Sequence, residues 1–258
     1  GLLDDRRGLD WRFRLLVQTL VATCVAAGGC RLTFFVDLPL LTGTITVFWI
    51  VGLINAFNML DNMDGLSAGV AAIAGGMFAT VMLTASEGSN GPPQLFVACF
   101  LLVLVGSLVG YLHHNRPPAK LFMGDAGSYF IGYWLAVGTI LATFRVPGKP
   151  DHAILAPLCV LAVPLYDAAT VIWIRLREGR SPFHADHKHF SHRLVELGMT
   201  PPQAVGTVYL LTVITGLAAL LLYQVSTPWA AGTVLLLVFS VLVLVGLHET
   251  AARKRDPE

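Results

Sequence analysis

This sequence predicts an all-α fold, a polytopic membrane helical bundle of about eight transmembrane helices, on three observations. Hydrophobic residues fill 55% of the chain, charged residues only 13%, and mean hydropathy is +0.69; a soluble domain carries about 25% charged residues. The apolar residues form runs near the ~20 positions that a helix needs to cross a bilayer. The basic residues gather on alternate connections between those runs, as the positive-inside rule requires.

Taken in order, the runs lie near 13–30, 39–58, 66–85, 94–112, 127–144, 153–174, 203–223 and 229–248. The first has Arg14 just inside it, and the second leads into a polar stretch from Asn55 to Asp64. Gly65 and Gly69 open the third, where a missing Cβ lets a ligand or a helix approach. Gly106 and Gly110 give the fourth a G-x-x-x-G pair, expected to mark close helix packing. The fifth follows Asp125, and the sixth carries Asp167 two turns before Arg175, as a helix–helix hydrogen bond or as support for a site. No formal charge lies between Gln203 and His248, and the turn Gln224-Val-Ser-Thr-Pro228 divides that stretch in two. Cys24, Cys30, Cys99 and Cys159 sit in apolar runs without a C-x-x-C pair, so they are expected to be buried, reduced packing residues. The whole of 1–258 is expected to be one transmembrane catalytic domain. Because it starts on a segment that resembles the end of an element, N-terminal helices of a longer protein are expected before it.

Threading places 1–12, 59–65, 113–126, 175–202 and 249–258 on one side. Counting Arg14, that side holds fourteen basic residues against three (Arg31, Arg145 and Lys149) on the other. The first side is therefore expected to be cytoplasmic. It also receives Asp4-Asp5, the 55–64 stretch, Phe122–Asp125 and the histidines from His184 to His192, so the catalytic loops are expected there.

Each cluster suggests a chemistry. Asn55, Asn58, Asp61 and Asp64 recur every three residues and fall broadly on one side of a helix; acids and amides at a membrane boundary mark a functional site. Asp4 and Asp5 raise each other's pKa unless a cation offsets them, and they suit a general base, a divalent-ion site, or a cap on the helix starting near Leu9. Asp125 stands at a helix start beside Gly124, Gly127 and Ser128, a setting for a phosphate bridged by Mg²⁺, or for a simple N-cap. His189 and His192 have no cysteine or other ligand set nearby, so the loop suits anionic oxygens better than zinc.

With these residues in view, the chain resembles the polyprenyl-phosphate N-acetylhexosamine-1-phosphate transferases, glycosyltransferase family 4. The likeness runs through L-x-D-D at Leu2–Asp5, N-A-x-N-x-x-D-x-x-D-G-L from Asn55, F-M-G-D-x-G-S at 122–128, and the histidine loop. The resemblance implies transfer of a sugar-1-phosphate from a UDP-sugar to membrane-embedded undecaprenyl (polyprenyl) phosphate with release of UMP, the first membrane step of cell-wall or surface polysaccharide (lipopolysaccharide) synthesis. It implies Mg²⁺, with Mn²⁺ able to substitute, on Asn58 and Asp125, and Asp4 and Asp5 as the catalytic acids. It assigns Asp61, Asp64, Asn115 and Phe122 to the nucleotide pocket, with Phe122 stacking on uracil, and Asn55 to substrate binding. It implies that His189, His192 and Arg193 meet the sugar and diphosphate and that Arg14 adds positive charge to the substrate site. Arg14 stands where lysine is usual, Asp61-Asn62-Met-Asp64 lacks the usual glycine, and His189-Phe-Ser-His192 has one imidazole fewer. The short loop is nearer the WecA and TagO branch than MraY, favouring UDP-GlcNAc over the phospho-MurNAc-pentapeptide reaction. A multi-pass protein of the bacterial inner (plasma) membrane is implied, active site to the cytoplasm, with no nucleic-acid partner and with a homodimer allowed. The rival class, a transporter, would place its acids near the bilayer midplane, whereas these, Asp167 excepted, lie at the rim.

Overall fold

The structure, a computed structural model, describes residues 1–32, 38–84, 94–142, 151–182 and 188–253, and every regular element among them is a helix. The chain divides into two compact units, Gly1–Thr143 and Phe144–Glu258.

The first unit begins with α1 (Leu2–Arg7), a short helix with Asp4 and Asp5 in its first turn and Arg6 and Arg7 in its last. That order of charges complements the helix dipole. Gly8, at φ 60°, closes it in the left-handed conformation that glycine adopts without strain. Then come α2 (Trp11–Ala27), α3 (Pro39–Leu60), α4 (Leu66–Thr84), α5 (Leu95–Asn115) and α6 (Gly124–Leu141). Pro39 sits in the first turn of α3, where no N–H is missed. α4 packs on α5, α3 on α6, α2 on α3, and α1 on the start of α6. Phe57, Leu60, Leu66, Phe78, Leu101 and Leu135 are fully buried between them.

Close helix approach falls elsewhere than the sequence pattern suggests. A Cβ on Gly106 or Gly110 would meet nothing within 4 Å, so the G-x-x-x-G pair faces outward. A Cβ on Gly132 would lie 2.6 Å from both Ile54 Cα and Leu53 O. The backbones of α3 and α6 therefore touch at Gly132, the kind of contact that small residues allow in membrane bundles.

The second unit holds a 3₁₀ turn (Asp151–Leu155), α7 (Ala156–Val160), α8 (Ala162–Arg177), α9 (Phe190–Glu196), α10 (Pro201–Gln224) and α11 (Pro228–Arg253). A reciprocal capping box between Thr200 and Gln203 starts α10, with Pro201 in its first turn. α10 packs on α7, α8, α9 and α11.

Five helices are long and apolar enough to cross a membrane: α3, α4, α5, α10 and the Pro228–His248 part of α11. His152–Val160 and Ala162–Arg177, bent by 67°, form a sixth if counted as one broken span. This makes the chain a multi-pass membrane protein, with fewer such helices among the described residues than the eight expected. The expected spans at 13–30 and 127–144 are helical, but α2 has only 17 residues and α6 begins on a polar turn containing Asp125. The expected span at 153–174 breaks at Leu161; Pro164 follows and has no N–H for the carbonyl four residues earlier. Of the cysteines expected to be buried, only Cys159 is; Cys24 and Cys99 are exposed and Cys30 is intermediate. In a membrane bundle an apolar run faces lipid as readily as it faces protein.

Candidate active site

The contact of α3 with α6 sets the centre of the site. Asn58 stands in the last turn of α3 and Asp125 in the first turn of α6. Asn58 Nδ2 donates to Asp125 Oδ1 at 2.7 Å and to Ser128 Oγ at 3.1 Å. Ser128 Oγ donates in turn to the Gly124 carbonyl at 3.0 Å. The cap position of α6 is Met123, so Asp125 lies inside the first turn and is not the N-cap.

Two further helices bring charge to the same point. Asp4, 5% exposed, accepts the Leu9 N–H at 2.9 Å through Oδ1. Its Oδ2 accepts from the Tyr129 hydroxyl at 3.1 Å. Arg14 Nη1 lies 3.4 Å from Asp4 Oδ2, 3.4 Å from Asp125 Oδ2 and 3.3 Å from Tyr129 Oη. These longer contacts place a positive charge between two acids without locking it to either. Burial pushes the Asp4 carboxyl up, but the Leu9 N–H, hydrogen bonding with Asp125 and Tyr129, and the Arg14 charge together hold it below the usual carboxylate range. Sequence composition alone does not single out Tyr129. The available signal was its spacing, one turn after Asp125 on the same helix face.

The adjacent acids have different partners. Asp5, the exposed one, accepts the Asp125 N–H at 2.7 Å with Oδ1 and the Ala126 N–H at 3.1 Å with Oδ2. The start of α6, which the sequence offers to a phosphate, is thus occupied by a carboxylate of the chain itself. The suggested cap on a helix starting near Leu9 is not realised: α2 starts at Trp11 with Asp10 as its cap residue, and Asp4 holds the Leu9 N–H ahead of it.

Around this centre, several expected substrate residues hold backbone. Asn115 is buried; its Oδ1 accepts the Gly65 N–H and its Nδ2 donates to the Leu121 carbonyl, both at 2.8 Å. Asp64 Oδ2 accepts the Ala119 N–H at 2.9 Å. Together they tie the turn after α3 to the segment before α6, which carries Phe122 with 75% of its surface exposed. Asn55 donates to Gln18 Oε1 at 2.7 Å and to the Val51 carbonyl at 2.8 Å, joining α3 to α2.

Asp61 is pushed up to about 6, first by burial and then by the Asp125 charge. A carboxyl whose folded-state pKa exceeds its unfolded value of 3.8 stabilises the fold fully below pH 3.8, and that stabilisation disappears as pH rises through 6. Without divalent cation or nucleotide, Asp61→Asn should therefore raise the thermal midpoint at pH 8 and leave it unchanged near pH 4. The gain at pH 8 is on the order of 2 kcal/mol. An equal shift at both pH values would mean that Asp61 carries no such penalty.

His189, His192 and Arg193 belong to the second unit. Asp167 and His189 are buried, and Asp167 Oδ2 lies 2.9 Å from His189 Nδ1 while its Oδ1 accepts the Phe190 N–H at 2.6 Å. Asp167, whose role the sequence left open, therefore holds the start of α9 against α8. Arg193, 2% exposed, donates to the Lys188 carbonyl and to Thr170 Oγ1, the latter at 3.2 Å. His192 is half-buried. His184 and His187 lie outside the described residues.

The donor set in the first unit is hard oxygen throughout. Asp125, Asp4 and, after a half-turn of its amide, Asn58 Oδ1 all suit a small divalent cation. Among the described residues no group of three or more His, Cys, Asp or Glu forms a metal cluster. A cation that takes one or two protein oxygens and completes its shell with phosphates and water needs none.

Residues 1–143 match the model of glycosyl transferase family 4. The "Probable undecaprenyl-phosphate N-acetylglucosaminyl 1-phosphate transferase" of Bacillus subtilis (strain 168) is 31% identical over 255 residues, covering 95% of this chain and 67% of that protein. The "Decaprenyl-phosphate N-acetylglucosaminephosphotransferase" of Mycobacterium leprae (strain TN) is 34% identical over 235 residues, 81% of this chain and 58% of that protein. The "Undecaprenyl-phosphate alpha-N-acetylglucosaminyl 1-phosphate transferase" of Yersinia pestis is 31% identical over 217 residues, 79% and 57% respectively. The chain thus spans 57% to 67% of the length of these relatives.

Proposed function

Because this chain belongs to glycosyl transferase family 4, we propose that it transfers N-acetylglucosamine-1-phosphate from UDP-GlcNAc to a polyprenyl phosphate and releases UMP. The observation that carries this reading is the meeting of Asp4, Arg14, Asn58 and Asp125 from four helices in one hydrogen-bonded cluster. The names of the relatives, each an N-acetylglucosamine-phosphate transferase acting on a polyprenyl phosphate, support the choice of sugar and acceptor. The protein is proposed to sit in a bacterial plasma membrane with this cluster facing the cytoplasm.

The chemical problem is the approach of one phosphate to another, so charge neutralisation and alignment carry the catalysis. Asn58 and Asp125 would hold Mg²⁺ or Mn²⁺, which when bound neutralises the diphosphate and polarises the bond to be broken. Arg14 contributes a fixed positive charge at the same point. Asp4, kept ionised by its partners, starts in the form that a proton acceptor needs, and its proton comes from the lipid phosphate. Asp64 and Asn115 hold the two loops in register, so that Phe122 presents its ring to the uracil. For His189, His192 and Arg193 of the second unit, a contact to sugar and phosphate is proposed from the family likeness alone.

Phe122→Ala should raise KM for the UDP-sugar about 10-fold with kcat within about threefold, as expected for the loss of one base-stacking face. A fall in kcat at constant KM would place Phe122 elsewhere. The reading as a whole is tested with the full-length protein in vesicles given polyprenyl phosphate and a panel of UDP-sugars. A polyprenyl-diphosphate product with GlcNAc, and slower turnover with the other sugars, is expected. Preference for another UDP-sugar would correct the specificity, and no lipid product with any of them would overturn the reading.

A further inference from the structure

We propose that Asp5 is a positioning residue that closes the first turn of α6 and thereby fixes Asp125; it carries no proton in the reaction. The link to catalysis rests on the role given to Asp125 above, while the capping geometry stands apart from it.

A helix start leaves its first N–H groups without intrahelical partners, and α6 brings no acceptor of its own, because its cap residue is Met123 and no side-chain cap bond is made there. Asp5 supplies what is missing from 120 residues away, with one carboxylate oxygen for the Asp125 N–H and the other for the Ala126 N–H. Its negative charge also sits at the positive end of the helix dipole. Gly124 makes room for it: at φ 63°, a Cβ there would lie 2.9 Å from Asp5 Oδ1 and 3.1 Å from Oδ2. Gly124 thus meets two demands, a left-handed turn and close passage of the carboxylate.

The residue held by its backbone N–H is the one whose side chain meets Asn58 and Arg14. Successive residues on a helix point about 100° apart, so Asp4 and Asp5 reach different targets from neighbouring positions. Asp4 faces Arg14 and Tyr129, whereas both oxygens of Asp5 are committed to the backbone. The anion expected at the start of α6 is therefore internal. A substrate phosphate bound at those two N–H groups would have to displace Asp5.

Capping and proton transfer respond differently to amide substitution. Asparagine caps helices about as well as aspartate, but it cannot carry a proton as a base. In Asp5→Asn one oxygen still accepts one of the two N–H groups; in Asp5→Ala neither is met. The direct test is amide hydrogen exchange on the full-length protein in nanodiscs, without nucleotide or cation. Exchange at Asp125 and Ala126 should accelerate about 10-fold in Asp5→Ala, as expected for loss of a cap. It should stay slow at one of the two in Asp5→Asn, with the middle of α6 as the unchanged internal reference.

Transfer should follow the same order, with Asp5→Asn within about 10-fold of wild type and Asp5→Ala down about 100-fold, the scale of a small misplacement of a reacting group. Unchanged exchange at 125–126 in Asp5→Ala would overturn the proposal. So would an Asp5→Asn protein that keeps its protection yet is as inactive as Asp5→Ala, because that pattern belongs to a proton carrier. A wild-type protein that transfers no sugar-phosphate at all would sink the functional reading instead, and the exchange measurement would still decide the role of the cap.

Discussion

An Asp125→Ala protein should transfer sugar-1-phosphate at least ~10³-fold more slowly than wild type while still inserting into the membrane. Asp125 is where the cluster converges: Asn58 donates to one of its oxygens, and Arg14 and Tyr129 stand 3.4 Å from the other. Removing it takes away a cation ligand, the acceptor that orients Asn58, and one of the two acids that hold Arg14 in place. Little of the core depends on it, because its side chain is partly exposed in the first turn of α6. Asp125→Asn refines the result, since it keeps the shape and loses only the charge. Both variants should be nearly inactive if the charge matters, and their thermal midpoints should stay close to wild type. Retained turnover in Asp125→Ala would refute the metal role.

The second large effect comes from a glycine remote from the chemistry. Gly132→Ala should cost about 100-fold in turnover, because misplacing reacting groups by ~1 Å has that effect, and it should also lower the thermal midpoint. The added Cβ would stand 2.6 Å from Ile54 Cα and Leu53 O, both backbone atoms that cannot swing aside. α3 and α6 must separate. Asn58 lies one turn beyond Ile54 and Asp125 two turns before Gly132, so the separation reaches the 2.7 Å bond between them. Gly106→Ala is the matched control: its Cβ meets nothing within 4 Å, and turnover should not change. Equal effects of the two substitutions would mean that the helix crossing does not set the site.

The sequence made the site legible where polar groups conflict with their surroundings. Acids and amides at the ends of apolar runs are costly, and Asp4, Asn58 and Asp125 do meet in space. Arg14 was visible as a basic residue just inside a helix. Other features depended on orientation, which sequence spacing alone does not carry. Asp4 and Asp5 looked like a pair because they are neighbours, yet helical rotation sends them to different partners. Tyr129 looked like one more aromatic in an apolar run; only the packing of α1 and α2 beside α6 gives its hydroxyl a role. Gly106 and Gly110 had the right spacing and the wrong face, while Gly132, in no recognisable pattern, makes the close contact. Asn115 and Asp64 drew attention as polar residues beside a substrate pocket, but their hydrogen bonds go to backbone. A polar side chain that staples a loop and one that binds a ligand have the same composition. They differ only in what lies opposite.

Two of the eight expected spans, α2 and α6, are helical but fall short of a long apolar span for a related reason. α2 and α6 carry the site at their ends, and the polar residues needed there shorten or dilute their apolar stretch.

The central claim is that these helix ends assemble a cation-dependent centre for moving a sugar-phosphate between two anions. UMP release by the purified full-length protein, with UDP-GlcNAc and polyprenyl phosphate as substrates and Mg²⁺ titrated after treatment with EDTA, tests it most directly. Release should stop in EDTA, return as Mg²⁺ is restored, and stay flat across the whole titration in Asp125→Ala. Full release in EDTA, or a normal Mg²⁺ response in Asp125→Ala, would contradict it.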